Sequence, residues 1–214
     1  TVGRMQDYRL FWREFRTNFR TTGAVLPSGH RLSQALARYV AEPSDGPRRI
    51  LEVGPGTGAV TRHIAPALQA ADRLDLVELN EKFVRRLREQ LETCPRLLPK
   101  TDRIRILHSR LEDLPRDTRY DIIVSGLPLN NFAIAEVDAI LQDIRELAQP
   151  GAILSFFEYI GIRRVKSVVA GRAERARLRG IGPLLERLLA GREIRREAVW
   201  RNIPPAWVHH VKLS

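Results

Sequence analysis

A glycine-rich turn and two acidic residues are the groups in this sequence whose spacing could support chemistry. The segment ILEVGPGTG places Gly54, Gly56 and Gly58 directly after an apolar run. Glycines at this spacing allow a tight turn and a close approach of the backbone to a ligand. Glu52 lies two residues before the turn and could hold a cationic amino group. Glu78 ends the next apolar run and could accept hydrogen bonds from both hydroxyls of a ribose.

A ligand with an amine and a ribose but no phosphate fits these residues best, and S-adenosylmethionine has that composition. Dinucleotide-binding turns usually have the spacing G-x-G-x-x-G, and no phosphate-binding lysine follows this turn. We therefore predict an S-adenosylmethionine site. Besides the three glycines and two acids, the predicted cofactor contacts are Ser28, Thr57, Leu79, Asn80, Leu111, Glu112 and Ser125.

Apolar runs alternate with amphipathic segments through most of the chain, which predicts a parallel sheet covered by helices on both faces. The predicted strands are 48–53, 73–79, 103–107, 120–125, 150–159 and two more within 192–213, and the predicted helices are 4–20, 30–41, 59–70, 81–93, 136–148 and 173–190. The last two strands flank the turn NIPPAW and are expected to be antiparallel. In such a sheet Glu52 and Glu78 meet in one crevice at the carboxyl ends of the strands.

The charge of the chain is uneven. The 214 residues carry a net charge of +11, and 43% of them are hydrophobic, enough for a real core. Residues 4–20 have five arginines against two acids, and residues 163–201 have twelve basic groups against four acids. These two segments favour an anionic partner, either nucleic acid or an acidic membrane surface, although a solvated arginine-rich surface would look the same.

The segment 4–20 predicts an amphipathic helix with an aromatic face. Apolar residues recur at spacings of three and four, and arginines cover the flanks. Such a helix suits the surface of an anionic membrane, but it could equally cover the active site by packing on the core. The residues predicted to contact the membrane are Arg9, Phe11, Trp12, Arg13, Phe15, Arg16 and Phe19.

LEVGPGTG followed by DLVELN resembles the class I S-adenosylmethionine-dependent methyltransferases. Within that class the chain is similar to the branch shared by ribosomal-RNA adenine dimethyltransferases and bacterial phospholipid N-methyltransferases. The resemblance implies an α/β, Rossmann-like fold with a mostly parallel seven-stranded sheet and an antiparallel last strand. It also implies a methyltransferase domain at 43–214, preceded by amphipathic helices in 1–42.

The segment SGLPLNN after the fourth predicted strand separates the two branches. Nucleic-acid amino-methyltransferases have N-L-P-Y or N/D-P-P-Y there, with a polar acceptor for the base amine and an aromatic ring that stacks on the base. This chain has Ser125, Gly126, Leu127, Pro128 and Leu129 instead, so a planar base has no evident clamp. SGLP, GAVLPSG and WRNIPPA are similar to the phospholipid N-methyltransferases.

The resemblance implies a peripheral membrane enzyme at the inner, cytoplasmic face of the cell membrane. We predict that it methylates the amine of phosphatidylethanolamine, an aminophospholipid, in successive rounds towards phosphatidylcholine. Three alternatives stay open. The substrate could be another aminolipid, such as an ornithine lipid, or an RNA adenine, and the protein could instead have a noncatalytic role in binding cofactor or membrane. Nucleic acid is the less favoured partner.

Several residues are predicted to act on the substrate side. Tyr159, and less so Glu158, could help to remove the amine proton. His30 and Arg31 could hold the lipid phosphate, beside a wall formed by Gly126, Leu127 and Pro128. No metal is expected, because His108, His209 and His210 lack the spacing of metal ligands.

Overall fold

One sheet of seven strands organises the computed structural model, which describes residues 29–129, 132–160 and 182–214. The strands are β1 (Arg49–Val53), β2 (Arg73–Glu78), β3 (Ile104–His108), β4 (Tyr120–Ser125), β5 (Ala148–Tyr159), β6 (Glu193–Val199) and β7 (Ala206–Lys212). Their order is β3-β2-β1-β4-β5-β7-β6, and β7 alone runs against its neighbours. The predicted mostly parallel sheet with an antiparallel last strand is confirmed.

Helices lie between the strands where the alternating pattern predicts them, with shifted ends. They are α1 (His30–Leu36), α2 (Arg38–Ala41), α3 (Thr61–Ala67), α4 (Glu81–Thr93), α5 (Ile134–Leu147) and α6 (182–189), with a 3-10 segment at Leu98–Arg103. The predicted helix 4–20, Ser28 and the first half of the predicted helix 173–190 lie outside the described residues.

Two predicted helices were wrong in length, each for a local reason. The predicted helix 30–41 is divided at Ala37, where the N–H of Val40 bonds the carbonyl of Ala37 three residues back. The predicted helix 59–70 is shorter, Thr61–Ala67, and its last turn is weakened because Pro66 has no N–H to donate to the preceding turn.

Side chains of the central strands alternate between two apolar cores. In β1, Ile50 packs on the side of α1, α3 and α4, whereas Leu51 packs on the side of α5 and α6. Because both faces are buried, these strands are mostly apolar; within β1 the exceptions are the exposed Arg49 at its beginning and the buried Glu52.

A buried ion pair fixes the end of α2 to the beginning of the sheet. The Arg48 guanidinium donates to the Asp72 carboxylate at 2.7 Å and to the carbonyls of Val40 and Glu42, each at 2.9 Å. Burial alone would raise the pKa of Asp72, but hydrogen bonds from Arg48 and from the Gln69 backbone outweigh it and lower the pKa. The guanidinium thereby caps the last carbonyls of the helix.

Candidate active site

The glycine turn lies where the connections from the sheet change direction. β1 has β2 on one side and β4 on the other, and ligands of open α/β sheets bind at such a switch point. Gly54, Gly56 and Gly58 have φ angles of 67°, 55° and 76°, in the left-handed region that other residues rarely adopt. This explains why glycine occupies every second position of the turn.

The end of β4 lies directly against this turn. The N–H of Gly126 donates to the carbonyl of Val53 at 2.9 Å. A Cβ on Gly126 would lie 2.7 Å from the Gly54 carbonyl oxygen, and a Cβ on Gly54 would lie 2.5 Å from a Leu127 methyl. Gly126 was predicted to line the substrate side, and its observed contact is with the cofactor turn itself.

Open space faces the middle of the turn. A Cβ added to Gly56 would meet no atom within 4 Å, unlike one on Gly54 or Gly58. The neighbouring Thr57 is bound to α4, since its carbonyl accepts a hydrogen bond from the Gln90 side chain at 3.2 Å. The turn therefore presents its backbone to the crevice, as binding of a ligand requires.

Glu78 closes one side of this space from the end of β2. Its carboxylate accepts hydrogen bonds from the N–H of Gly56 at 3.1 Å and of Asn80 at 2.8 Å. Burial raises the pKa of Glu78, while these backbone hydrogen bonds lower it in part. Carboxylate oxygens have several lone pairs, so Glu78 can accept ribose hydroxyls while keeping these contacts. Asn80 itself caps α4, since its side chain accepts from the Lys82 N–H.

Glu52 is fully buried beneath the turn. One carboxylate oxygen accepts a hydrogen bond from the Thr61 hydroxyl at 2.7 Å. The other, Oε1, has no hydrogen-bond partner in the described part of the chain. Burial raises the pKa of Glu52 to about 8. A buried acceptor without a partner is costly, and an amino group brought to this atom would remove that cost.

A narrow apolar cleft continues from the turn towards the ends of β2, β3 and β4. Its lining residues are Val53, Gly54, Val77, Leu79, Ser109, Arg110, Leu111, Leu127 and Phe132. The predicted contacts Leu79 and Leu111 both lie here, which suits a flat adenine ring. Glu112 does not line the cleft, and its carboxylate accepts from Arg110 at 3.0 Å.

Four residues that support the site were not predicted as contacts. Thr61 holds Glu52, Gln90 holds the turn, and Phe132 and Ser109 line the cleft. Thr61 lies nine residues after Glu52 on the following helix, and only the fold shows that they touch. Ser125 is buried, and its hydroxyl accepts a hydrogen bond from the Leu127 N–H at 3.4 Å, so it also shapes the loop after β4.

Tyr159 and Glu158 lie on opposite faces at the end of β5. Tyr159 is buried against Phe157, with ring centroids 5.1 Å apart, and burial raises the pKa of its phenol to about 12. A phenol with this pKa donates its proton in a hydrogen bond but does not take one from an ammonium near neutral pH. The carboxylate of Glu158 lies 3.5 Å from His209 on the other face.

His30 and Arg31 begin α1 but face different surfaces. The ring of His30 contacts that of His63, with centroids 4.6 Å apart, in a groove that also includes Arg62 and Arg96. Arg31 lies in a groove beside Trp200. In this arrangement the two side chains do not lie together to hold a single phosphate.

The beginning of α1 and the turn between β6 and β7 meet beside the end of β5. The N–H of Gly29 donates to the side chain of Asn202 at 3.0 Å, and the amide nitrogen of Asn202 donates to the Pro204 carbonyl at 2.7 Å. The N–H of Ile160 donates to the Pro205 carbonyl at 2.7 Å. Gly29 and the NIPPA turn are thus joined beside the end of β5.

Among the residues that the structure describes, no group of three or more His, Cys, Asp or Glu side chains is arranged to hold a metal ion. His210 is fully buried instead, and its Nδ1 lies 2.8 Å from the Ser155 hydroxyl of the adjacent strand. Burial lowers the pKa of His210 to about 4, so the ring is neutral and supports the sheet.

Residues 50–151 match a family model described as a methyltransferase domain. The ornithine lipid N-methyltransferase of Singulisphaera acidiphila is 29% identical over 128 residues, covering 60% of this chain and 65% of that protein. The tRNA1(Val) (adenine(37)-N6)-methyltransferase of Aeromonas hydrophila subsp. hydrophila is 31% identical over 86 residues, covering 40% of this chain and 34% of that protein. The chain therefore spans less than two thirds of the length of either relative.

The solved structures agree on the fold. The O-methyltransferase TomG from Streptomyces achromogenes, determined in complex with S-adenosylmethionine, superimposes with a TM-score of 0.59 at 18% identity, covering 86% of this chain and 79% of that one. Residues 50–151 are thus similar to a methyltransferase domain, and the sheet order and glycine turn are those that the sequence predicts for the S-adenosylmethionine-dependent class I.

Proposed function

We propose that this chain transfers methyl groups from S-adenosylmethionine to the amine of an aminolipid. Our preferred substrate is phosphatidylethanolamine, methylated in successive rounds towards phosphatidylcholine. The observation that carries the proposal is the wall after β4, where Leu127, Pro128 and Leu129 are buried and Leu127 lies against Gly54 of the cofactor turn. Within the described residues 126–129 of this segment, no side chain is a polar acceptor of the kind that holds a base amine.

The residues of the glycine turn fit the cofactor. Glu78 would accept the ribose hydroxyls, Glu52 would receive the amino group at its free oxygen, and the backbone at Gly56 leaves room for the ligand. When bound, S-adenosylmethionine supplies an electrophilic methyl group on its sulfonium. The work of the protein is then to align an amine with that methyl group.

The amine must lose a proton before it attacks, because lipid ammonium groups are protonated near neutral pH. Burial raises the pKa of Tyr159, which keeps its phenol protonated near neutral pH, so we assign Tyr159 to orienting the substrate through a donated hydrogen bond. Solvent water then takes the proton in our proposal, since Glu158 lies on the opposite face of β5.

A position at the inner face of the cell membrane accompanies this proposal. The net charge of +11 and the arginine-flanked aromatic pattern of 4–20 support attraction to anionic lipid. No helix in the described part of the chain is both long and apolar enough to cross a membrane.

Two other substrates have specific support. The similarity to an ornithine lipid N-methyltransferase favours an ornithine lipid, which also presents an amine near the membrane surface. The similarity to a tRNA adenine methyltransferase, together with the basic charge, favours RNA. The apolar wall after β4 argues against the RNA alternative.

A parallel assay with labelled S-adenosylmethionine distinguishes the three. The protein is incubated separately with vesicles of phosphatidylethanolamine, with vesicles containing ornithine lipid and with RNA, and the products are separated by chromatography. We expect label in phosphatidylethanolamine. Label in ornithine lipid alone would make ornithine lipid the substrate in place of phosphatidylethanolamine. Label in RNA alone would overturn the aminolipid proposal.

A further inference from the structure

The turn between β6 and β7, residues 200–205, exposes two large apolar side chains at its surface. Trp200 is 65% exposed and Ile203 is 72% exposed, the highest values among the exposed large hydrophobic residues of the described chain. They lie three positions apart in one turn. Leaving this apolar area in water is unfavourable, which indicates that something apolar covers it.

The turn is held rigidly. Asn202 is buried and bonds both Gly29 and the Pro204 carbonyl, while Trp200 packs edge-to-face against Trp207 with ring centroids 6.2 Å apart. Trp200 and Ile203 are therefore presented outward by a fixed backbone.

Positive charge surrounds these apolar residues. Arg31, Arg38 and Arg201 line the groove that contains Trp200, and Arg196 lies over the Trp207 ring, 4.9 Å from its centroid. The acid in that groove, Glu197, is bound by both Arg38 and Arg195. The surface of this groove thus has an excess of guanidinium groups, which complements lipid phosphates.

The turn also lies at the functional edge of the sheet. β6 runs in the same direction as β5, so it ends at the edge where the cofactor turn follows β1. The bond from the Ile160 N–H to the Pro205 carbonyl fastens the turn to the end of β5, directly after Tyr159.

We propose that the β6–β7 turn docks on anionic membrane, with Trp200 and Ile203 inserted at the headgroup boundary and Arg31, Arg196 and Arg201 against lipid phosphates. Tryptophan is favoured at this boundary, and each nearby arginine adds attraction to anionic lipid. The inference rests on the proposed lipid substrate. It gives the enzyme a membrane contact at its substrate end, separate from the segment 4–20.

Flotation tests the proposal with the full chain and with vesicles of phosphatidylglycerol and phosphatidylcholine, which lack the substrate amine. The variant Trp200→Ser/Ile203→Ser should bind about tenfold more weakly, since losing part of two buried side chains is worth 1.4 kcal/mol or more. The matched control is Leu98→Ser/Ile194→Ser. Those residues are 48% and 46% exposed and lie at the opposite edge, before β3 and at the beginning of β6. The control should bind as the wild type does.

Fluorescence gives a second readout that does not depend on comparing affinities. In the variant Trp12→Phe/Trp207→Phe, Trp200 is the remaining tryptophan. Lipids with brominated acyl chains should quench its emission once the protein binds. Bound protein without quenching, or equal loss of binding in the control variant, would overturn the docking of this turn. That result would leave the substrate assay intact, whereas quenching without any methylated lipid would refute the proposed function instead.

Discussion

The Glu78 carboxylate accepts hydrogen bonds from two backbone N–H groups and is also the predicted acceptor for the ribose hydroxyls. Its removal should therefore affect both the glycine turn and the binding of the ligand. We expect Glu78→Ala to weaken S-adenosylmethionine binding by about 1–3 kcal/mol, because buried hydroxyls lose a charged acceptor. Calorimetry measures the change. The control is Glu81→Ala, an exposed acid at the beginning of α4. Unchanged affinity in a folded Glu78→Ala protein would contradict the ribose assignment.

Glu52 makes the stability of the unliganded protein depend on pH. Burial raises its pKa from 4.5 to about 8, so the native state keeps a proton that the unfolded chain releases. Over this window a rising pH therefore lowers the free energy of unfolding, by up to about 1.4 kcal/mol per pH unit for this one group. The glutamine amide in Glu52→Gln does not titrate, so this variant should lose the dependence of stability on pH that Glu52 causes.

Urea unfolding of both proteins at several pH values between 5 and 8 measures this effect. The stability of Glu52→Gln relative to the wild type should increase steadily as the pH rises. Parallel pH profiles for the two proteins would mean that Glu52 is ionised in the folded state, and the proposed role of burial would be wrong.

At the scale of the elements, the contact between the ends of β1 and β4 is the tightest constraint on the site. Gly126→Ala would put a Cβ 2.7 Å from the carbonyl oxygen of Gly54, a backbone atom that cannot rotate away. We expect this change to lower both the melting temperature and the cofactor affinity.

Gly56→Ala is the informative comparison for Gly126→Ala. Its Cβ would meet no protein atom, although its φ of 55° still strains a side chain. We expect a loss of about 1 kcal/mol or more in stability and a larger loss in cofactor affinity, because the new methyl group enters the ligand space. Thermal melts and calorimetry on the two variants separate a clash within the protein from a clash with the ligand.

The elements were largely predictable because their signals are local. Apolar runs, glycine spacing and the position of Glu78 determine strands, turn and crevice without long-range information. The ends of the helices were less predictable, since they depend on distant contacts such as the hydrogen bonds from Arg48 to the carbonyls of Val40 and Glu42. The contacts of Thr61, Gln90 and Phe132 with the site arise from packing between distant segments, which no spacing in the sequence reveals.

At the scale of the whole molecule, the segment 4–20 stays a prediction because it lies outside the described residues. Neutralising Arg9, Arg13 and Arg16 should reduce binding to anionic vesicles and leave cofactor affinity nearly unchanged, because exposed charges act through the lipid surface. Flotation at increasing salt concentration measures this, since salt screens such attraction.

The alternative for this segment is a helix packed on the core. Replacing Trp12 and Phe15 by serine would then lower the melting temperature, and the arginine variants would float as the wild type does. Comparing the two sets of variants in flotation and thermal melts decides between a membrane contact and a cover for the active site.

The hydrogen bond between Gly29 and Asn202 joins positions 173 residues apart, which has a consequence for the time course of synthesis. A chain emerging from the ribosome has its glycine turn, Glu52 and Glu78 early, and Gly126 soon afterwards. The hydrogen bond from Gly29 cannot form until Asn202 of the final hairpin is made. In the proposed function, a nascent chain would therefore have its cofactor turn well before its substrate end is complete.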